Sequence, residues 1–148
     1  MTRSSLLAAI VAFAPACAAA HSCPAEQMRP DVSIEGPTEN IGVTVANGEA
    51  VSLTEATGLN GVLQERLVTI MPGGVLEVHA HADMPGYAYV LSGTALEHRS
   101  DCAVPIRRTV GDTATEPHTV THWWQNDGDE PFVLLVNHVV KNVQANQD

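Results

Sequence analysis

From residue 41 to residue 141, apolar and polar side chains alternate in short runs punctuated by glycine, proline and asparagine. No other property limits the fold so tightly. Successive side chains on an extended strand point to opposite faces, so this alternation marks strands with one face in a core. Residues 41–54, IGVTVANGEAVSLT, alternate around Asn47-Gly48, a dipeptide favoured in two-residue hairpins, and predict a hairpin there. Asn60-Gly61 marks another turn. Leu63 to Met71 reads as a strand ended by Pro72-Gly73-Gly74, and Val75 to His81 as the next. Further strands are predicted at Tyr87 to Leu91, Ala95 to Arg99, Ile106 to Val110, Thr119 to Gln125 and Phe132 to Val140. Helix signals are few. Many short strands with regular turns predict an all-β sandwich or barrel.

The length of 148 residues suits one domain, and 17 acidic against 7 basic residues give a formal charge of -10. That sign disfavours nucleic acid and anionic membrane surfaces as partners, because both are held by cationic side chains.

Residues 1–20, MTRSSLLAAIVAFAPACAAA, have the pattern of a signal peptide: Arg3, a short apolar run from Leu6 to Phe13, and a small-residue cleavage site at Ala18-Ala19-Ala20. The run is too short to span a membrane. The reading predicts an exported protein, periplasmic or secreted, cut before His21. Residues 21–40 read as an irregular arm, 41–141 as the barrel domain and 142–148 as a polar tail. Cleavage would remove Cys17 and leave Cys23 and Cys102, an even count that predicts one disulfide in an exported chain. It would also leave an α-amine and imidazole at His21 that together can chelate copper.

Five of the seven histidines, His79, His81, His98, His118 and His122, fall between residues 79 and 122. On a strand, His79 and His81 project to the same side and can share one metal ion. The pair alone is equally compatible with a polar surface. His122, opening an alternating stretch with Trp124, is the candidate third ligand. Trp123 and Trp124 alternate, so only one of them can point inward; Met84, Tyr87, Tyr89 and Trp124 are candidates to border a cavity.

The spacing around these residues resembles the cupin superfamily. Residues 73–93, GGVLEVHAHADMPGYAYVLSG, match the first cupin motif at Gly73, His79, His81 and Gly93. Residues 111–126, GDTATEPHTVTHWWQN, match the second at Gly111, Pro117, His122 and Asn126. The resemblance implies a cupin-type β-barrel, a jelly roll of two antiparallel sheets, and metal ligation by His79, His81 and His122. It also makes a homodimer plausible. Two departures stand out. The glutamate expected at or next to Gly86 is missing, and Asp83 is the only carboxylate among residues 82–87. Thr119 replaces an inner glycine of the second motif.

Glu116, just before Pro117, is the candidate replacement. Two readings stay open: an exposed loop carboxylate, or a cavity carboxylate acting as ligand or acid/base. Glu77 shares strand parity with the histidines and points inward or lies at the barrel mouth. His118 reads as a solvent-facing turn residue. Three neutral nitrogen ligands suit a divalent ion of Fe, Zn, Mn, Ni or Cu and leave coordination positions open, the pattern of a reactive site. The resemblance thus implies a metal-dependent enzyme on a small molecule, of oxygenase, isomerase or hydrolase type. The alternative is a non-catalytic metal or small-ligand binding protein.

Overall fold

A computed structural model describes residues 23–30 and 32–141. The leader expected at 1–20, the copper-chelating terminus expected at His21 and the tail at 142–148 lie outside the described residues.

Eight strands make up the domain: β1 (Ile41–Ser52), β2 (Gly61–Ala80), β3 (Gly86–Ser92), β4 (Thr94–Arg99), β5 (Ile106–Thr109), β6 (Thr113–Glu116), β7 (Thr121–Gln125) and β8 (Phe132–Lys141). One helical turn, α1 (Thr54–Thr57), links β1 to β2 and ends at Gly58 in the left-handed region, φ 73°. Hydrogen bonding is antiparallel and unbroken through the order β5-β4-β7-β2-β8-β3-β6, with β1 added to β2. The all-β barrel is thus one curled sheet whose two halves face each other.

The turn at β2 is the hinge between the halves. Pro72-Gly73-Gly74 was expected to separate two strands. Instead β2 runs through it for 20 residues. Residues 61–70 pair with β8, and residues 75–80 pair with β7. Gly73, at φ 74°, supplies the corner, and Gly74 lies so close to the carbonyls of Ile41 and Met71 that a side chain would collide. The hairpin expected at Asn47-Gly48 is likewise absent. Gly48 has no positive φ, β1 stays paired to β2 on both sides of it, and the local irregularity is a bulge. Strand β6 was not expected at all.

The core lies between the two halves. Ile70, Val90, Phe132, Leu134 and Trp124 are fully or almost fully buried there. Burying one large apolar side chain stabilises by about 1.5–3 kcal/mol, so these positions hold the sheet in its curl. Tyr87 and Tyr89, considered above as cavity residues, point outward because Ala88 and Val90 take the inward positions of β3.

Residues 23–30 and 32–40 form an arm that contains a 3-10 turn at Ala25–Gln27. Cys23 is bonded to Cys102, with Cα atoms 5.7 Å apart, as the cysteine count predicts. Met28 forms a bridge with Cys102, and Arg29 donates to the carbonyl oxygens of Ser100 and Arg99. A disulfide suggests a location outside the reducing cytoplasm. No helix among the described residues is long and apolar enough to cross a membrane.

Candidate metal centre

His79 and His81 lie near the end of β2, and His122 lies on β7 directly opposite His79 in the ladder. Each imidazole is oriented by its Nδ1. That atom lies 2.8 Å from the carbonyl oxygen of Glu77 for His79, and 3.1 Å from that of Met84 for His81. For His122 it lies 2.8 Å from Glu97 Oε1. Carbonyl and carboxylate oxygens only accept, so each Nδ1 carries the proton and donates it. Each Nε2 is left with a bare lone pair.

These lone pairs converge. His122 Nε2 lies 2.8 Å from His81 Nε2 and 3.0 Å from His79 Nε2. Three such nitrogens repel one another unless they share a cation. Two nitrogens bound to one ion at about 2.1 Å and at right angles lie about 3 Å apart, which the observed spacing fits. Protons are poorly placed to take the cation's role. Burial, reinforced by His122, lowers the pKa of His79 to about 4. Burial also lowers that of His81, with His122 acting in the same direction and Glu116 against it. His79 and His81 thus favour the neutral imidazole, the form that ligates metals.

Behind His122 stands Glu97, fully buried on β4. Burial alone would raise its pKa. The hydrogen bond from His122 and the charges of Arg108 and Arg99 outweigh it and hold the carboxyl at about 2. Arg99 Nη1 donates to Glu97 Oε1 at 2.9 Å, and Arg108 Nε donates to Oε2 at 2.8 Å. The same guanidinium groups reach across the open seam of the sheet. Arg99 donates to the carbonyl of Thr115 at 2.8 Å, and Arg108 to that of Thr113 at 3.3 Å, both on β6. One carboxylate therefore orients a histidine of the triad and anchors the two arginines that join the ends of the sheet.

Glu116 is not the exposed loop residue that one reading allowed. It ends β6 and is 3% exposed. Its Oε2 accepts from His138 Nε2 at 2.7 Å, and its Oε1 lies 3.7 Å from His122 Nε2. Burial acts to raise its pKa, but the His138 hydrogen bond and the nearby His122 and His81 prevail and lower it. Gly86, where the first motif has its glutamate, pairs with Glu116 on one side and His138 on the other. A Cβ on Gly86 would run into the carbonyl oxygen of Asn137 and into the His138 ring. Glu116 on β6 thus stands in register with Gly86, and His138 fills the space beside that glycine.

The remaining expected residues divide. Glu77 borders the cavity beside the triad and is tied to Asn40, while Met84 and Trp124 also line it. Asp83 is exposed and pairs with Lys141, and His118 is exposed as expected. Trp123 faces outward, stacked on His98 at 3.7 Å between ring centroids. Glu97, Arg99, Arg108 and His138 escaped the motif reading. Their signal was parity: Glu97 and Arg99 alternate in step with buried Ala95, and His138 with buried Leu134 and Val136.

With this geometry established, comparisons with known proteins give consistent results. Residues 66–138 match the cupin domain family model. Oxalate decarboxylase OxdC of Bacillus subtilis is 30% identical over 95 residues, which is 61% of this chain and 25% of that protein. The chain thus spans about a quarter of that curated relative. A solved oxalate decarboxylase is 28% identical with a TM-score of 0.54, covering 75% of this chain and 29% of the other. The cupin domain of Schizosaccharomyces pombe Cnp3 is 14% identical with a TM-score of 0.56, covering 75% of this chain and 72% of that one, a likeness of fold. Motifs, curled sheet and family match agree, and the chain belongs to the cupin superfamily.

Proposed function

We propose that this chain is an exported, metal-dependent enzyme acting on a small molecule, with one divalent ion held by Nε2 of His79, His81 and His122. The observation that carries the reading is the convergence of three Nε2 atoms whose Nδ1 partners all commit the proton to the other side of the ring. Fe, Zn, Mn, Ni and Cu all suit such a donor set. A bound ion there would supply Lewis acidity toward a ligand oxygen or water. The histidines hold and orient; Glu97 keeps His122 in the ligating tautomer. Glu116, braced by His138 on one oxygen, has the other oxygen turned toward the triad, where it can take a proton from a bound ligand and return it. The cavity in front of these groups is small, about 140 Å³, and its wall is largely apolar.

The likeness to oxalate decarboxylases supports an enzyme over a merely structural barrel. Export is supported by the leader pattern and the disulfide. The test is reconstitution of metal-free protein with each of the five metals, followed by turnover and oxygen-uptake assays across small-molecule substrates. The reading predicts turnover with at least one metal, lost in Glu116→Gln while the metal stays bound. Metal binding without turnover in any combination would favour a non-catalytic binding protein instead.

A further inference from the structure

The cavity wall carries one cation that the metal reading does not use. Arg66 lies on the first half of β2, in step with Val68 and Ile70, whose side chains enter the core. It lines the same cavity as His79, Glu116 and His138. Its cross-strand neighbours place it beside the site: Gln64, two residues before it, pairs with His138.

The partners of the other basic residues set Arg66 apart. Arg99 and Arg108 share Glu97, Arg107 pairs with Asp127, and Lys141 sits by Asp83. Arg29 is engaged by two backbone carbonyls. Among the described residues, Arg66 donates only to a neutral amide oxygen, Gln64 Oε1, from Nε at 3.1 Å and Nη2 at 2.7 Å. A guanidinium has five N–H donors in a planar fork that matches a carboxylate. Both of these bonds converge on one oxygen and leave the rest of the fork available. In a chain of formal charge -10, a half-buried arginine with no carboxylate paired to it among the described residues, on the wall of the cavity that His79 and Glu116 also line, is a cation reserved for something else.

The charge balance of the cavity points the same way. Two carboxylates line it, Glu77 and Glu116. A divalent ion and Arg66 together outweigh them by one charge, so the filled cavity attracts an anion although the protein as a whole is acidic. The volume sets the size. A cavity volume of about 140 Å³ suits a small organic molecule.

We infer that Arg66 is a specificity-determining residue and that the site takes a small organic carboxylate, one end toward the histidine triad and a carboxylate on the Arg66 guanidinium. The inference rests on the proposed metal site for the first contact only; the second belongs to Arg66 itself. Gln64 holds the guanidinium in place and gives up its bond, or shares it, when the carboxylate arrives.

The experiment titrates malonate and its neutral analogue malonamide into zinc-loaded wild type, Arg66→Gln and Arg66→Lys by calorimetry, with zinc content measured on the same samples. Malonate is expected to bind wild type at least about tenfold more tightly than Arg66→Gln, the loss typical of a charge-assisted bond. Arg66→Lys should recover part of that loss, and malonamide should not distinguish the variants. Equal malonate affinity in wild type and Arg66→Gln, or no malonate binding to wild type, overturns the inference. Zinc content separates the two readings: if wild type holds no zinc, the proposed metal site fails. The same titrations on metal-free protein then still decide Arg66 through the difference between wild type and Arg66→Gln, at weaker overall affinity because Glu77 and Glu116 outweigh Arg66 when no ion is bound. An unchanged urea midpoint for Arg66→Gln shows that the fold is intact.

Discussion

Glu97 Oε1 and His122 Nδ1 lie 2.8 Å apart with both side chains fully shielded from solvent. This single contact joins the candidate metal site to the closure of the sheet, because Glu97 also anchors Arg99 and Arg108. Removing the charge should damage both. Glu97→Gln removes the carboxylate that Arg99 and Arg108 share, leaving Arg99 to Asp101, and breaking a buried ion pair typically costs about 3–5 kcal/mol. It also loosens His122, and loss of a partner behind a ligating histidine typically costs about 10–100-fold in metal affinity. Urea unfolding and chelator competition on the same variant measure the two effects.

Acid should act through the same carboxylate. Its pKa is held at about 2 against an ordinary 4.5. A carboxyl whose folded pKa is depressed contributes stability that is fully present above its unfolded pKa and is lost as pH falls through the folded one. The Glu97 contribution should therefore persist down to about pH 4.5 and disappear toward pH 2. His79 acts earlier. Its pKa is lowered from 6.5 to about 4, so the unfolded chain binds more protons across that interval. Metal-free protein should thus lose stability as pH falls from 6.5 to 4, and His79→Ala should flatten that part of the curve. Urea midpoints measured from pH 7 to pH 2 check both windows.

Restoring the family's glutamate should fail. A side chain at Gly86 meets the Asn137 carbonyl and the His138 ring, both in the adjoining strand. Gly86→Glu should destabilise by about 1–3 kcal/mol, the usual cost of overpacking, and should not tighten metal binding. Glu116→Ala should remove the acceptor of the buried His138 Nε2–H and cost about 1–3 kcal/mol, whereas Glu116→Gln keeps an acceptor and should cost less. Urea unfolding of the three variants tests this.

The disulfide closes a loop of 79 residues in sequence separation. In the chain-entropy view a loop of that size stabilises by about 4 kcal/mol. Cys23→Ser/Cys102→Ser should lower the urea midpoint accordingly and expose residues 23–40 to proteolysis. The triad is held by β2 and β7, so metal stoichiometry should be unchanged. Limited proteolysis with metal analysis separates the arm from the site.

Much of the architecture was legible because alternation reports burial directly. The strands at Tyr87–Leu91, Ala95–Arg99 and Phe132–Val140 fall within β3, β4 and β8. Asn47-Gly48 and Pro72-Gly73-Gly74 misled for a physical reason. Local turn preference was overridden by long pairing of β1 and β2 in one case and by a bulged corner in the other. The triad was legible because motif spacing placed His79, His81 and His122. The support behind it was not: Glu97, His138 and Arg108 are charged or polar residues at inward positions, and only the fold brings them to a shared partner. Glu116 stood in the open because a carboxylate before a proline reads as loop, while its burial depends on the pairing of β6 with β3.

The most direct test of this account is metal analysis of protein purified without chelator or affinity metal, beside a His79→Ala/His81→Ala double variant. A site built on His79, His81 and His122 should give close to one divalent metal ion per chain in the wild type and lose it in the variant, with both proteins folded by circular dichroism. A wild type that carries no metal and takes up none on titration would contradict it, as would a double variant that keeps the full metal content.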